Sequence, residues 1–195
     1  MKKTIDLKNL QLLTLYNPRD WGKWLKVNHS NSEGIWLKFF KKDAGIPALT
    51  YEEALMEALC YGWIDGLSNS YDEKSWIRKF TPRRSKSVWS KRNTERINRL
   101  ISEGRMKPAG MKQVEAAKAD GRWVKGYDPP KDMTMPKDFL KELSKNKKAK
   151  TFFETLNKAN TYAIGWRLQT AKKPETRIKR MKEILVMLKE GKKFH

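Results

Sequence analysis

Residues 121–135, GRWVKGYDPPKDMTM, are the stretch that most constrains how this chain can fold. They contain two glycines, two prolines and no hydrophobic periodicity, which is typical of a connection between folding units. Before this stretch both strand-like and helical apolar patterns occur, whereas after it every apolar pattern is helical. The sequence therefore predicts an α+β domain at residues 1–122, a linker at 123–135 and a small, basic, all-helical C-terminal domain at 136–195.

In the α+β domain, we expect a small sheet packed with helices. The runs GIWLKFFKK and KSWIRKF are rich in aromatic and branched residues and predict strands, and GWIDG predicts a short strand or turn. The clearest helix follows Thr50, which with Glu53 forms the pattern of a capping box. On the later helices, we expect Ile101, Leu140 and Ile178 to face inward with their apolar neighbours.

The chain is strongly basic, with a formal net charge of +21. Such a charge attracts polyanions, so the candidate partners are nucleic acid, an anionic membrane face or an acidic protein. The basic residues are widely spread, but residues 78–112 contain 12 basic and only 2 acidic side chains. The charge thus indicates an anionic partner without identifying it.

The single cysteine, Cys60, excludes an intramolecular disulfide and fits a reducing cytosol. Asp6 and Lys8 interrupt the apolar stretch that a signal peptide would need. No apolar run approaches the ~20 residues that span a bilayer. We therefore expect a cytoplasmic protein without a transmembrane segment.

We find no catalytic or cofactor motif. The only histidines are His29 and His195, and with one cysteine they do not form the clusters that transition metals prefer, so we expect no metal site. Neither a phosphate-binding glycine loop nor a serine–histidine–aspartate arrangement is evident. Accordingly, we assign no catalytic residue and no cofactor.

The basic segment RKFTPRRSKSVWSKRN is the main candidate for an anion or ligand site. Its arginines offer planar forks for phosphate or carboxylate, its serines offer donors, and its tryptophan offers a ring for stacking. The alternative is a solvated basic loop whose tryptophan packs in the core. Upstream, Asp65 forms either a structural pair with an arginine or one wall of a pocket. The candidate residues are Trp63, Asp65, Arg83, Arg84, Ser87, Trp89, Ser90 and Asn93.

A second basic surface is predicted on the last helix, in AKKPETRIKRMKEI. Its cations lie on or beside the side of the helix opposite the apolar stripe, so a solvated charged face is favoured there. The residues are Arg177, Lys179, Arg180 and Lys182.

The motifs CYGWIDG, TPRRSKSVWSKRN and AKKPETRIKR resemble the YdeI/OmpD-associated family, also described as bacteriocin-protection proteins. The resemblance extends from about Trp21 to Gly191, and MPKDFLKELSKNKKAKTFFETL resembles the family's terminal helical domain. It implies protection against bacteriocins or cationic peptides and association with an outer-membrane porin, but it supplies no catalytic residue or cofactor to transfer. A chain of charge +21 would repel a cationic peptide.

Our leading hypothesis is a bacterial stress or resistance accessory protein that binds an anionic partner and is not an enzyme. The first alternative is a nucleic-acid-binding protein, and the second is an enzyme with a pocket around Asp65 and Arg83. The oligomeric state and the identity of the ligand stay open.

Overall fold

The computed structural model describes residues 10–195, so the first nine residues, which include Asp6 and Lys8, lie outside the described part. The chain divides into two compact units. Unit 1 runs to Ser87 and resumes at Glu95–Val124, whereas unit 2 contains Val88–Thr94 and Lys125–His195. Strands and helices together give the α+β class that the sequence predicts.

Unit 1 contains a four-stranded mixed sheet in the order β1-β2-β4-β3. The first two strands in that order are parallel, because a helix connects them, and the other neighbours pair antiparallel. The register between β3 and β4 shifts between Asp65 and Ser68, which marks a bulge. The strands are β1 (Leu12–Thr14), β2 (Ile35–Phe40), β3 (Trp63–Ser70) and β4 (Ser75–Pro82).

The first helices begin at caps that the sequence encodes. The side chain of Asn17 accepts a hydrogen bond from Asp20 N at the start of α1, and Thr50 forms the predicted capping box with Glu53 at the start of α2. A short 3-10 helix lies between them. The helices are α1 (Pro18–Asn28), the 3-10 helix (Lys42–Ala44), α2 (Tyr51–Cys60), α3 (Lys91–Ser102) and α4 (Pro108–Ala119).

An aromatic cluster forms the core of unit 1. Trp21 of α1 packs edge-on against Trp63 and Phe80, with ring centroids 6.3 and 5.9 Å apart, and all three rings are buried. Its indole N–H donates to Ala54 O of α2 at 3.0 Å, so the buried polar atom is satisfied. These contacts fix both helices on one face of the sheet.

In unit 2 the chain after residue 124 forms four helices among the described residues: α5 (Lys137–Ser144), α6 (Lys147–Glu154), α7 (Lys158–Gln169) and α8 (Pro174–Lys189). Their core contains Phe139, Leu143, Ala149, Ile164, Leu168, Ile184 and Leu188. Two residues expected in the apolar stripes are exposed, Leu140 at 42% and Ile178 at 49%, and in unit 1 Ile101 is exposed at 37%. Those three predictions are wrong, because each residue lies at the margin of its helix's apolar stripe.

Candidate anion-binding site

A turn after β4 positions the two adjacent arginines of the basic loop. Arg83 N donates to Gly62 O at 2.9 Å, which continues the sheet by one more backbone bond. Residues 84–87 then form a turn in which Ser87 N donates to Arg84 O at 2.9 Å and Arg84 N donates to Ser87 Oγ at 3.1 Å. As a result Arg83 is buried at 7% exposure, whereas Arg84 is exposed.

Strand alternation places Lys79, Thr81 and Arg83 on the same side of β4, because successive side chains of a strand point to opposite faces. Together with Arg84 and Glu33, they line an open cleft of about 450 Å³. The other lining residues are Leu10 and Pro82. This side is opposite the one on which Phe80 packs into the aromatic core.

A glycine brings Glu33 to this cleft. Gly34 has a φ of +143°, and a Cβ added there would lie 2.7 Å from Thr81 Cγ2 and 2.8 Å from Phe80 O. Only glycine allows the backbone before β2 to approach β4 so closely. The carboxylate of Glu33 therefore belongs to the same cleft as the cations.

The cleft is electropositive, since three cations and one carboxylate line it. Within the described part of the chain, Lys79 and Arg84 form no ion pair. Among the described residues, no acid therefore lies close enough to Lys79 or Arg84 to form an ion pair with it. An exposed guanidinium and a nearby ammonium are groups that hold a phosphate or carboxylate.

Asp65 lies on the opposite side of the sheet and has other partners. Its Oδ2 is 2.7 Å from Arg78 Nη2 and accepts a hydrogen bond from the Tyr51 hydroxyl at 2.8 Å. The Arg78 guanidinium also lies 4.7 Å from the centroid of the Tyr51 ring. Burial raises the pKa of Tyr51, and the negative charge of Asp65 raises it further. The structure therefore joins Asp65 to Arg78 and Tyr51, not to Arg83.

Trp63 is a core residue of unit 1. Its ring is 1% exposed and lies edge-on to Trp24, with centroids 5.6 Å apart. Its indole N–H donates to His29 O at 3.0 Å. Trp63 consequently supports the structure beneath the sheet and presents no face to a ligand.

Trp89, Ser90 and Asn93 belong to unit 2, whereas the other candidates belong to unit 1. Trp89 is 2% exposed, so its ring offers no surface for stacking. Ser90 precedes α3, where its Oγ accepts from Asn93 N at 3.2 Å and its carbonyl accepts from Thr94 N at 3.1 Å. Asn93 itself is 9% exposed. These contacts are those of a helix start.

On the second basic surface, three of the four cations contact other groups of the protein. Arg177 forms a bidentate pair with Asp138 of α5, and Arg180 donates to Arg167 O at 2.8 Å. Lys179 lies 4.0 Å from Glu183, one helical turn away. Among the described residues, only Lys182 of this set is exposed without an ion pair. The arginines here connect helices of unit 2.

Cys60 is a buried thiol at 1% exposure. Burial raises its pKa to about 11, and the negative charge of Glu57 adds to the effect. A thiol with so high a pKa is a poor nucleophile. Among residues 10–195, no cluster of three or more histidine, cysteine or acidic side chains could hold a metal ion.

Sequence reasoning identified Arg83 and Arg84 but missed the other residues of the cleft. For Lys79 and Thr81 the sequence does contain a signal. They stand with Arg83 at every second position of a predicted strand and its extension. Glu33 carried no such signal, since only the fold brings the turn before β2 to β4.

The fold and this cleft define a small α+β protein with a cation-lined site. Comparison with known families shows which family the chain belongs to. Residues 13–113 match the family described as a domain of unknown function, DUF8412, and residues 132–191 match the one described as bacteriocin-protection, YdeI or OmpD-associated. Because the first match covers just over half of the chain, the chain belongs to the DUF8412 family. The second match confirms the resemblance predicted for the C-terminal segment. No curated protein and no solved structure matches the chain.

Among the described residues, no helix combines the length and apolar character needed to cross a bilayer.

Proposed function

We propose that this protein binds a small anionic ligand in the cleft beside Arg84 and does not transform it. The observation that carries the proposal is the pair of cations, Lys79 and Arg84, that line one cleft without an ion pair in the described part of the chain. A protein that leaves two such charges in a concave site gains affinity for an anion, because the ligand supplies the missing counter-charge.

The cleft's size favours a small ligand over a polymer. A volume of about 450 Å³ falls within the range that holds metabolite-sized molecules. Arg84 offers two parallel N–H donors to a phosphate or carboxylate, and Lys79 offers a second positive charge. Glu33 offsets one of the three positive charges, so the cleft keeps a net positive charge for an anionic ligand.

The biological setting is part of the same proposal. The match of residues 132–191 to a family described as bacteriocin-protection supports a bacterial accessory protein in stress or antimicrobial resistance. The single cysteine, which forms no disulfide, supports a location in the cytoplasm. We further propose the domain boundaries that the sequence predicts, with a linker at residues 123–135.

Calorimetric titration of the full chain with pyrophosphate tests the proposal. We expect Arg84→Ala and Lys79→Ala each to weaken binding about tenfold, because each removes a charge-assisted contact. Arg84→Lys keeps the charge but loses the fork, so it should fall between wild type and Arg84→Ala. Lys42→Ala is the matched control, because it removes an equal charge from the exposed 3-10 helix.

Equal affinities for Arg84→Ala and Lys42→Ala would contradict the proposal, since the protein's net charge alone would then explain binding. A short oligothymidylate serves as the second ligand. If the protein is instead a nucleic-acid-binding protein, this oligonucleotide binds more tightly than pyrophosphate, with a log–log salt slope of about −0.7 per phosphate.

A further inference from the structure

A second cleft in unit 1 lies between the end of α1 and the start of α4. It has a volume of about 470 Å³ and is lined by Lys26, His29, Tyr61, Lys107, Pro108 and Ala109. None of these residues lines the Arg84 cleft. We propose that this second cleft binds a small aromatic anion, and the inference stands independently of the proposed function.

The rings on one wall are held in place by the protein. His29 Nδ1 lies 2.9 Å from Leu25 O, a contact that assigns the proton to Nδ1 in the neutral ring and leaves Nε2 available. The ring centroids of His29 and Tyr61 are 5.3 Å apart and inclined at 51°. Both rings are partly exposed, so each retains surface for a planar ligand.

The backbone behind the rings is closely packed. Lys107 N donates to Cys60 O at 3.1 Å, which ties the start of α4 to the end of α2. A Cβ on Gly110 would lie 2.2 Å from the same carbonyl oxygen, so only glycine permits this approach. The wall formed by Pro108 and Ala109 is therefore fixed relative to Tyr61, and the cleft is preformed.

The charges at this cleft favour an anion. Lys26 and Lys107 form no ion pair in the described part of the chain. Burial raises the pKa of Tyr61, and the negative charge of Glu57 raises it further. Arg105 already pairs with Glu57 at 2.6 Å. Two ammonium groups without acidic partners beside two rings and a proline suit a carboxylate or sulfonate attached to a flat apolar body.

Ligand-observed NMR with 2-naphthoate and the full chain tests the inference. We expect a Kd on the order of 1 mM, as suits a ligand of this size. The double variant Lys26→Ala/Lys107→Ala should raise the Kd about fivefold, because it removes both exposed cations of the cleft. The double variant Lys112→Ala/Lys118→Ala removes two exposed charges elsewhere on α4, so it is the matched control and should leave the Kd unchanged.

The neutral analogue 2-naphthamide tests the need for charge and should bind about fivefold more weakly than 2-naphthoate. Any of three results would overturn the inference: no binding of 2-naphthoate at about 10 mM, equal effects of Lys26→Ala/Lys107→Ala and Lys112→Ala/Lys118→Ala, or equal binding of the amide. Arg84→Ala should not change naphthoate binding, and Lys26→Ala/Lys107→Ala should change pyrophosphate binding no more than Lys112→Ala/Lys118→Ala does. Failure at one cleft is therefore distinguishable from failure at the other.

Discussion

Replacing Asp65 by asparagine tests the contacts that connect β3, β4 and α2. The wild-type carboxylate contacts Arg78 at 2.7 Å and Tyr51 at 2.8 Å, and the side chains of Asp65 and Arg78 are 13% and 26% exposed. Asparagine has the same shape as aspartate and can still accept the hydrogen bond from the Tyr51 hydroxyl. That bond is no longer charge-assisted, which lowers the free energy of unfolding by about 1 kcal/mol. The Arg78 charge loses its counter-ion, which costs about 1–2 kcal/mol after a discount for partial exposure.

We therefore expect Asp65→Asn to lower the free energy of unfolding by about 2–3 kcal/mol, a shift of about 1 M in the urea midpoint. Urea titrations followed by tryptophan fluorescence would measure it. Asp43→Asn is the matched control, because Asp43 is exposed on the 3-10 helix and forms no ion pair among the described residues. It should change the stability by less than about 0.5 kcal/mol. An Asp65→Asn protein as stable as the control would refute the structural role assigned to this carboxylate.

Three further predictions concern unit 1. Tyr51→Phe should cost about 1–2 kcal/mol of unfolding free energy, because it removes one charge-assisted hydrogen bond to Asp65; an unchanged urea midpoint would argue against that bond. Gly110→Ala should cost about 3 kcal/mol, because its Cβ would lie 2.2 Å from Cys60 O, a backbone atom. Its control, Gly22→Ala, meets only the Glu57 side chain, at 3.2 Å, so it should be neutral or stabilising in the same urea titrations. The Cys60 thiol, with its pKa raised to about 11, should resist iodoacetamide at about pH 8 until urea unfolds the protein, and rapid labelling of the native protein would contradict its burial.

The regular elements could be predicted where local patterns were strong. Asn17 and Thr50 begin α1 and α2 because their side chains cap the free N–H groups of the first turn. Strand β3 was underestimated: GWIDG predicted a short strand or turn, whereas β3 continues to Ser70. Its second half is exposed and, apart from Leu67, polar, so the hydrophobic pattern does not identify it, and only pairing with β4 holds it in the sheet.

The candidate site could be predicted only in part. Arg83 and Arg84 were identified from charge density alone. Whether a nearby acid or aromatic ring lies in the same site as these arginines depends on which face of the sheet each side chain occupies. Asp65 pairs in register with Phe80 on the core side, and Trp89 is buried. The sequence left two alternatives open for each of these residues, because proximity in sequence does not say which face of the sheet a side chain occupies. Glu33 joins the cleft through long-range packing that no local pattern encodes.

Titration of the full chain with pyrophosphate, followed by proton–nitrogen correlation NMR spectra, would locate the anion site. Binding in the cleft predicts saturable shifts of the backbone amides of residues 79–87 and 33–34, with smaller shifts elsewhere. These shifts should weaken in Arg84→Ala and persist in Lys42→Ala. Shifts spread evenly over exposed lysines throughout the chain, or confined to helix α8, would contradict the claim that the cations beside β4 form the anion site.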